Sequence, residues 1–516
     1  MNHASTFDTA DTDRDAHAAS QLRARRAGVV WRKVIADCET PVAAAVKLIE
    51  PGRGDFLLES VEGGETRGRY SLVGLDPDLV FRARGRKAEI NRIWASDRDA
   101  FAPLDDEPLT ALRKLAADCR FEVPKELPPA LSCLVGYFGY ETISLVENVA
   151  RPEPNPLDLP DMIFARPTLI LVFDRLKDML FCVAPVWPSE TDPQDAVAAA
   201  QDRIDACLAK LQGARLSPPP QLPGDAEAAL TPQLPDGRYR EMVLAAKEYI
   251  TAGDIFQVVL AQRFTCPFPL PPLALYRSLR RVNPSPFLYF LDLPGFALIG
   301  SSPEILVRVR GGSADRPEVT IRPIAGTRPR GKDADEDRAN RESLLADPKE
   351  RAEHLMLLDL GRNDVGRVAR PGSVKVTESY TVENYSHVMH IVSNVVGELA
   401  DGADAIDAMF AGFLAGTVSG APKVRACQII AELEPETRGA YAGGVGYFAP
   451  DGSVDSCIVL RTAVVKDGVM HVQAGAGIVA DSDPAYEQRE CEAKASALLA
   501  AAKEALKLAD EPGYGQ

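Results

Sequence analysis

A proline-rich break near the middle of the chain is the feature that most constrains its fold. Residues 213–235 (GARLSPPPQLPGDAEAALTPQLP) combine Pro, Gly and Ala without a hydrophobic period, which is typical of a linker or a long surface excursion. The break separates an N-terminal part, residues 26–212, from a C-terminal part, residues 236–516. Residues 1–25 are acidic and lack the apolar stretch of a signal peptide, so we predict a disordered acidic tail there.

Short strand-like runs separated by turn residues fill both parts, and helical patterns arrive in blocks. Strands are predicted at 55–60, 69–73, 131–140, 167–173, 255–264, 286–292, 296–300 and 304–310. Helices are predicted at 195–211, 236–252, 335–347, 349–361, 404–413, 422–434 and 484–508, the last with Asp483 as its N-cap. Asp451-Gly452 and Asp467-Gly468 are hairpin signals. This order predicts an α+β fold with antiparallel sheets rather than a doubly wound parallel sheet.

Charge and cysteine usage restrict the partners and the compartment. The chain has 58 Lys and Arg against 74 Asp and Glu, a net charge of −16, which argues against nucleic acid or an anionic membrane surface as a partner. No apolar run reaches the roughly 18 residues of a membrane span. The nine cysteines are odd in number and show no C-x-x-C spacing, which argues against a disulfide framework and a zinc site and predicts a cytoplasmic protein.

Two pairs of glutamates lie three residues apart on predicted helices, Glu350 with Glu353 and Glu487 with Glu490. The spacing puts each pair on one helix face. A solvated, charged helix face explains either pair taken alone. If the two faces meet, they supply the hard oxygen ligands that Mg²⁺ prefers, and the metal would draw an anionic substrate to this acidic protein.

Several shorter segments carry candidate ligand groups. Residues 475–480 match the pattern G-x-G-x-x-A, but no helix opens directly after them, which argues against a dinucleotide site. Residues 416–423 lack the ending of a Walker A loop. Both are predicted as glycine-rich loops that offer backbone N–H groups to a carboxylate or phosphate, or serve as simple turns. Residues 323–328 are predicted as a tight turn. His390 and Arg461 are each either structural residues or ligands of a substrate.

Eight segments of the C-terminal part follow one another in a characteristic order. They are PIAGTRPRG (323–331), ERAEHLMLLDLGRNDVGRV (350–368), VENYSHVMHIVSNVVG (382–397), FLAGTVSGAPK (413–423), AYAGGVGY (440–447), CIVLRT (457–462), QAGAGIV (473–479) and YEQRECEAKA (486–495). LLES (57–60), GRYSLVG (68–74) and GYFGYE (136–141) extend the pattern into the N-terminal part. Together these segments resemble the chorismate-utilising enzymes, and within that family the large subunits (component I) of anthranilate synthase.

The resemblance implies a fold and a reaction. The fold is α+β, with two large antiparallel sheets packed together and flanked by helices. The chorismate-binding catalytic part is residues 236–516, and the regulatory part is residues 26–212. The reaction converts chorismate and ammonia to anthranilate and pyruvate, the first step of tryptophan biosynthesis, and it requires Mg²⁺.

The resemblance also implies roles for individual residues. Glu353 and Glu490 match the direct magnesium ligands, while Glu350 and Glu487 match residues that hold metal-bound waters. The matching catalytic residues are Glu304, His390, Thr417 and Lys494. Glu304 matches the general acid on the departing C4 hydroxyl, and His390 matches the histidine linked to pyruvate elimination. The matching substrate-binding residues are Gly326, Thr327, Tyr441, Arg461, Gly475, Ala476 and Gly477.

Two positions bear on the nucleophile. Gln257 stands where isochorismate and salicylate synthases carry a lysine that activates water, and Ala325 stands where aminodeoxychorismate synthase carries a nucleophilic lysine. The absence of a lysine at both positions favours ammonia as the nucleophile that attacks chorismate at ring C2. The sequence lacks the G-x-C-x-G-x-Q motif of a glutamine amidotransferase. The resemblance therefore implies a separate glutamine amidotransferase subunit (component II), with two copies of each subunit. Aminodeoxychorismate synthase, isochorismate synthase and a non-catalytic sensor of chorismate or tryptophan are the alternatives.

A second set of residues resembles the tryptophan-feedback site of the family. The set is Leu58, Glu59 and Ser60 on one wall, with Pro286, Phe287, Leu288 and Cys457 on the other. Many relatives carry Tyr-Met where this chain has Phe287 and Leu288. An edge strand running into a turn is the alternative explanation of LLES. Our hypothesis is that tryptophan binds here and disfavours the closed, active arrangement.

Overall fold

Antiparallel strands and blocks of helices make up the computed structural model, which describes residues 7–62, 66–213, 228–311, 316–385 and 388–510. The helices are α1 Phe7–Arg23, α2 Pro41–Leu48, α3 Pro108–Asp118, α4 Pro193–Gly213, α5 Arg238–Ala252, α6 Pro272–Val282, α7 Ala334–Ala346, α8 Pro348–Gly366, α9 Ala405–Gly412, α10 Lys423–Leu433 and α11 Pro484–Asp510. Two 3₁₀ helices lie at Tyr140–Leu145 and Gly416–Val418.

Twenty-two strands are present in these ranges. The first eleven are β1 Gly28–Ile35, β2 Phe56–Glu62, β3 Thr66–Arg84, β4 Lys87–Asn91, β5 Ala102–Leu104, β6 Leu134–Phe138, β7 Met162–Asp174, β8 Met179–Val186, β9 Thr231–Pro232, β10 Gln257–Pro267 and β11 Phe287–Leu293. The others are β12 Phe296–Ser302, β13 Ile305–Arg310, β14 Glu318–Ile321, β15 Ile324–Pro329, β16 Lys375–Asn384, β17 Val388–Glu398, β18 Gly420–Ala421, β19 Gly444–Phe448, β20 Val454–Ile458, β21 Thr462–Lys466 and β22 Val469–Ile478.

The two long strands β3 and β7 form the centre from which two sheets extend. One sheet runs from β1 and β8 through β7, β3, β2, β11, β12, β21 and β22 to β10. The other leaves β7 at β6 and continues through β19, β20, β13, β14 and β17 to β15 and β16. Every one of these pairs is antiparallel, so the predicted α+β class with two antiparallel sheets is confirmed. The sheets are also joined by hydrogen bonds, because they share β3 and β7.

Strands from both sides of the proline-rich break join in each of the two sheets. In one sheet β2 lies between β3 and β11, with Leu57 opposite Phe290. In the other, β6 pairs with β19, with Val135 opposite Tyr447. The break therefore divides the sequence but not the sheets. Residues 214–227 of the break lie outside the described part of the chain, and its end contains β9, which pairs with β10.

The N-terminal segment differs from the prediction. Residues 7–23 form α1, which packs against β1 and α4, so a disordered tail is wrong for this stretch. Ala18, Ala19 and Leu22 are buried, and they form a short apolar stripe that the surrounding acidic residues obscured in the sequence. The Arg14 guanidinium lies 3.9 Å from the Trp31 ring centroid. Residues 1–6 lie outside the described part.

The predicted helix ends and hairpins are present. The Tyr486 N–H donates to the Asp483 carboxylate at 2.8 Å, which caps α11 as expected. Asp467 and Gly468 have φ of 51° and 74° between β21 and β22, as a tight hairpin requires. β3 is much longer than the predicted strand 69–73. Its pairing with β7 shifts register between Pro77 and Leu79, and this irregularity broke the sequence pattern.

Aromatic packing fixes the segment that carries part of the candidate site. The Phe138 ring lies 4.9 Å from Phe164, 5.5 Å from Phe410 and 6.3 Å from Phe413, which connects β6, β7 and the end of α9. The 3₁₀ helix with Thr417 follows directly.

All nine cysteines are free thiols. Across the described ranges, no helix combines the length and the apolar character that a membrane crossing needs.

Candidate active site

Glu304 is a buried carboxylic acid between β12 and β13. It is 7% exposed, and the Thr417 hydroxyl donates to its two carboxylate oxygens at 3.2 and 3.1 Å. Burial raises the pKa of Glu304 to about 8, although the Thr417 hydrogen bond acts in the opposite direction. The carboxyl therefore keeps its proton at neutral pH, which suits a general acid.

His390 lies on β17 opposite an irregularity in β15. The register shifts between Ala325 and Thr327, where Gly326 has a φ of 79°, so the predicted tight turn at 323–328 is a bulged strand. The Nδ1 of His390 is 3.1 Å from both the Gly326 carbonyl oxygen and the Thr327 hydroxyl. A carbonyl oxygen can only accept, so Nδ1 carries the proton and Nε2 is the basic nitrogen. Burial, with a contribution from Arg461, lowers the pKa of His390 to about 4, so the ring is neutral at pH 7.

Arg461 is a partly buried cation between β20 and β21, directly before β21 begins. Among the described residues no carboxylate forms an ion pair with it. Burial lowers the pKa of its guanidinium, and the Tyr385 hydroxyl acts in the opposite direction. A guanidinium that has lost water without gaining a carboxylate is suited to bind an anionic ligand.

Tyr385 connects these groups, and our sequence reasoning gave it no role. Its ring centroid is 5.3 Å from that of His390, and its hydroxyl donates to Glu383 at 3.1 Å. It interacts electrostatically with both Glu304 and Arg461. The sequence feature that could have pointed to Tyr385 was its place in the run that precedes His390. Residues 386–387 of that run lie outside the described part of the chain.

The two glutamate pairs lie on α8 and α11 as predicted. Burial raises the pKa of Glu353, and the nearby charges of Glu350 and Glu490 raise it further. Burial also raises the pKa of Glu487, and the nearby charge of Glu490 adds to this rise. The carboxylates of the two helices are therefore close enough to repel one another. The Glu350 carboxylate also lies beside Gly326, since a Cβ built on that glycine would be 3.2 Å from Glu350 Oε2.

These carboxylates are not gathered around a common point. Within the described part of the chain, no three His, Cys, Asp or Glu side chains lie close enough to hold a metal ion. Arg328 donates to Glu350 at 3.0 Å, and Lys494 pairs with Glu490 at 2.7 Å. The donor chemistry still fits a hard divalent cation, because carboxylate oxygens crowd around Glu353 and a cation relieves their repulsion.

Residues 475–477 lie in β22 and not in a loop, which corrects the prediction. Gly475 is opposite Ala261 and Gly477 opposite Val259 on β10. The pairing of β22 with β21 reaches only Val472 among the described residues, so the other edge of this segment has no strand beside it. The Lys494 ammonium donates to the Gly475 carbonyl at 2.8 Å. A Cβ on Gly475 would be 2.8 Å from the Tyr441 hydroxyl, so a side chain at this position would collide with Tyr441.

The two positions that bear on the nucleophile lie on β10 and β15. A Cβ built on Gly477 would be 2.5 Å from the Gln257 Nε2, so the Gln257 amide lies against Gly477. Ala325 is buried in β15, opposite Ile391. Neither side chain carries an amine. Ala476 is fully buried between its two glycine neighbours, and Thr327 lies next to His390.

A separate cavity of about 370 Å³ lies where β2 meets β11. Six of the seven residues predicted for tryptophan line it, namely Leu58, Glu59, Ser60, Phe287, Leu288 and Cys457. Pro286 is not among the lining residues. The cavity also touches Arg308, Arg310 and Asp455, which sequence reasoning missed because they lie on strands with no resemblance to a ligand motif.

Glu59 is already satisfied by protein groups at the edge of this cavity. The Tyr276 hydroxyl donates to it at 2.6 Å, Arg280 donates at 2.9 Å, and Arg175 forms an ion pair with it. Burial alone would raise the pKa of Glu59, but Arg280, Tyr276 and Arg175 lower it overall. The carboxylate thus connects α6 to β2 in this structure.

Known proteins share this arrangement over nearly the whole chain. The family model of the chorismate binding enzymes matches residues 55–500, which include every candidate site residue from Leu58 to Lys494. The chain belongs to the chorismate-binding enzymes. It is therefore an enzyme that acts on chorismate, and the residues described above on β15, β17, β22, α8 and α11, with Glu304 and Arg461, form its candidate chorismate site.

Relatives of this chorismate-binding enzyme carry a more specific name. The chain is 52% identical over 492 residues to anthranilate synthase component 1 of Cereibacter sphaeroides, covering 94% of this chain and 97% of that one. It is 46% identical to the Thermus thermophilus protein of the same name, covering 91% and 97%. The crystal structure of anthranilate synthase component I from Streptococcus pneumoniae superposes with a TM-score of 0.72 at 35% identity, covering 90% and 99%. The menaquinone-specific isochorismate synthase of Escherichia coli shares the fold, with a TM-score of 0.67 at 20% identity, covering 94% and 99%.

Proposed function

We propose that the chain is the large subunit of an anthranilate synthase, which converts chorismate and ammonia to anthranilate, pyruvate and water. The observation that carries the proposal is a buried Glu304 that accepts a hydrogen bond from Thr417 and keeps its proton at neutral pH, in the same site as Arg461, which forms no ion pair with a described carboxylate. An acid beside an anion site suits the removal of a hydroxyl group from a dicarboxylate substrate. The names of the relatives at 52% and 46% identity support the same reaction.

Substrate binding in this proposal uses the cationic side of the cleft. Arg461, the Tyr441 hydroxyl and the backbone amides of residues 475–477 bind the enolpyruvyl carboxylate. Thr327 and the bulge at Gly326 contact the ring beside His390. The ring carboxylate then faces the glutamates of α8 and α11, and Lys494 contributes a positive charge there.

Amination is the first chemical step. Ammonia forms a bond to ring C2, the double bonds shift, and the C4–O bond breaks. Glu304 donates its proton to the departing oxygen, which leaves as water, and Thr417 then stabilises the resulting carboxylate. Gln257 near the C2 side has no basic nitrogen with which to activate water, which favours ammonia.

Elimination of pyruvate is the second step. The C2 proton is removed, the bond between ring C3 and the enolpyruvyl oxygen breaks, and the ring becomes aromatic. The neutral His390 is suited to accept this proton, because its Nδ1–H is held by Gly326 and its Nε2 is free, and to pass it to the methylene carbon of the departing enolpyruvyl group, which leaves as pyruvate. The proton that the C2 ammonium group loses restores Glu304. The sum is one chorismate and one ammonia giving one anthranilate, one pyruvate and one water.

Magnesium belongs to this proposal. Glu353 and Glu490 would hold it directly, with Glu350 and Glu487 holding its waters. When bound, Mg²⁺ supplies positive charge to the ring carboxylate. Arg328 and Lys494 are the present partners of Glu350 and Glu490, and they balance part of the acidic charge.

The ammonia source and the regulator complete the proposal. A separate glutamine amidotransferase subunit supplies ammonia in a complex with two copies of each subunit, and tryptophan bound in the 370 Å³ cavity inhibits the reaction. The nine free thiols support a cytoplasmic location. The term component 1 in the names of the relatives supports a partner subunit.

The test uses the purified chain alone with chorismate, MgCl₂ and an ammonium salt at alkaline pH. Anthranilate fluorescence and pyruvate release are followed together, with Glu304→Gln as the inactive control. We expect equal amounts of both products and loss of both on adding EDTA. Amination without pyruvate release would instead identify an aminodeoxychorismate synthase, and isochorismate in place of both would identify an isochorismate synthase.

A further inference from the structure

A buried arginine outside the candidate site connects three of the segments that carry it. Arg438 lies in the turn between α10 and β19, and its side chain is 1% exposed. Its guanidinium donates to the two carboxylate oxygens of Glu434, at 2.8 and 2.6 Å. It also donates to two backbone carbonyls, Val418 at 2.9 Å and Val259 at 2.7 Å. Its donors therefore reach Glu434 nearby and two backbone segments that are distant in sequence.

Each carbonyl belongs to a segment of the cleft. Val418 follows Thr417 in the 3₁₀ helix, so this bond fixes the backbone that presents the Thr417 hydroxyl to Glu304. Val259 lies on β10 opposite Gly477, and its own N–H donates to the Ser419 carbonyl at 2.9 Å. The Thr417 segment and the β10–β22 edge are thus held through the same two residues, Val259 and Arg438.

The third segment is that of Tyr441. The guanidinium carbon of Arg438 lies 5.6 Å from the Tyr441 ring centroid and 4.6 Å from that of Tyr140. Tyr441 in turn has its hydroxyl against Gly475. The position of the Tyr441 ring, and so of its hydroxyl, depends on where the guanidinium lies.

We propose that Arg438 is a positioning residue of the chorismate site, whose planar guanidinium holds the Thr417 segment, the β10–β22 edge and Tyr441 in one arrangement. Arginine suits this task because five N–H donors diverge in a fixed plane. Lysine keeps the charge beside Glu434, but its single ammonium on a flexible stem cannot hold Val418 and Val259 in the same fixed directions.

The turn that carries Arg438 is itself held from the N-terminal part. The Glu141 carboxylate accepts the backbone N–H of Arg438 at 2.7 Å and that of Gly439 at 3.0 Å. Glu434 also accepts the Ala261 N–H at 2.8 Å, which fixes the other end of the ion pair. Arg438 therefore acts from a rigid base, as positioning of other groups requires.

The test compares Arg438→Lys and the double variant Glu434→Gln/Arg438→Met with the wild type. The double variant removes both charges together, so neither is left buried without a partner. Arg166→Lys is the control, since Arg166 is a largely buried arginine that binds Asp78 through two hydrogen bonds of 2.8 and 2.7 Å in the N-terminal part. Thermal unfolding first selects the variants that fold.

Two readouts separate positioning from a structural role. The first is the chorismate Kd by calorimetry, which depends only on the established family. The second is kcat against pH at constant free ammonia, which rests on the proposed function. The polar groups around Glu304 that can affect its titration are Thr417, Tyr385 and the Asp364–Lys423 pair. Of these, only the Thr417 segment is hydrogen-bonded to Arg438, so a shift of the alkaline limb in the Arg438 variants reports on that segment.

We expect the chorismate Kd to rise at least 5-fold in both Arg438 variants and to stay unchanged in Arg166→Lys. We expect kcat to fall at least 10-fold and its alkaline limb to move to higher pH, in the same direction as in Thr417→Val. A folded Arg438 variant with wild-type Kd, kcat and alkaline limb would overturn the proposal. If the wild type makes no anthranilate, the proposed function fails, and the Kd alone decides the role of Arg438.

Discussion

The Thr417 hydroxyl donates to both carboxylate oxygens of Glu304, at 3.2 and 3.1 Å, in a pocket that is lined mainly by apolar side chains and also by Asp364. A donated hydrogen bond favours the ionised carboxylate, and burial favours the protonated form. Burial wins, which leaves the pKa of Glu304 at about 8.

Thr417→Val removes the donor and keeps the shape of the side chain. The pKa of Glu304 then rises further, so the acid form persists to higher pH. We expect the alkaline limb of kcat to move upward, and kcat at neutral pH to fall about 10-fold because the Glu304 carboxylate formed in the reaction loses a partner. The measurement is kcat from pH 6 to 10 at constant free ammonia. An alkaline limb that stays in place would show that another group sets it.

Glu304→Gln is expected to abolish most activity while stabilising the fold at alkaline pH. The folded protein keeps the Glu304 proton up to about pH 8, whereas the unfolded chain releases it near 4.5. The free energy of unfolding of the wild type therefore falls as pH rises between these values, by up to roughly 5 kcal/mol at about 1.36 kcal/mol per unit. Glutamine has no proton to lose. The measurement is the free energy of unfolding in urea at pH 5 and pH 8. The difference between Glu304→Gln and the wild type should be more favourable to the variant at pH 8 than at pH 5. Glu342→Gln, on the exposed face of α7, should show no such pH dependence relative to the wild type.

Glu353→Gln tests the carboxylate cluster. We expect activity with ammonia to fall roughly 100-fold and the Mg²⁺ concentration needed for half-activity to rise, because a charged oxygen donor is replaced by a neutral amide. Calorimetric titration with Mg²⁺ in the presence of chorismate measures the affinity directly. Glu492→Gln, at an exposed position of α11, is the control and should behave as wild type. Equal Mg²⁺ affinities in all three proteins would place the metal elsewhere.

Gly475→Ala tests the close approach between β22 and Tyr441. The new Cβ would lie 2.8 Å from the Tyr441 hydroxyl and 2.9 Å from the Leu260 carbonyl oxygen, so strand and ring must move apart. We expect the KM for chorismate to rise about 10-fold, which is roughly 1.4 kcal/mol of binding. Gly366→Ala at the end of α8 meets nothing within 4 Å and should leave KM unchanged. A normal KM in Gly475→Ala would mean that Tyr441 does not bind the substrate.

Ser60→Leu tests the cavity between β2 and β11. The longer side chain reduces the space for a bound ring, so tryptophan should inhibit at least about 10-fold more weakly, while the ammonia-dependent activity stays the same. Ser96→Leu, at an exposed position outside the cavity, is the control. Inhibition by tryptophan that is unchanged in Ser60→Leu would exclude this cavity as its site.

The sequence allowed the element types to be predicted well, because caps and turns are local. The Asp483 cap and the Asp467-Gly468 hairpin need only neighbouring residues, and both are present. Helix α1 was missed because its buried face consists mainly of alanines, whose burial depends on β1 and α4. The glycines at 475 and 477 were placed in a loop, since nothing local shows that β10 lies beside them.

The site could be predicted as a list of residues but not as an arrangement. Motifs pointed to Glu304, His390 and Arg461, while their connection through Tyr385 depends on strands that are distant in sequence. The local signal at Arg438 was limited to Glu434 four residues before it, because the partners that tie Arg438 to the site, Val259 and Val418, are backbone carbonyls. Backbone acceptors leave no trace in side-chain identity.

The junction of N-terminal and C-terminal strands in both sheets affects how the protein is made. Leu134 of β6 pairs with Phe448 of β19, so the ribosome releases the first half of both sheets long before the strands that cover their edges. Such open edges attract wrong partners, both in other chains and in the same chain. The edges of β2 and β6 therefore stay uncovered until β11 and β19 have been made, and both sheets are completed only late in synthesis.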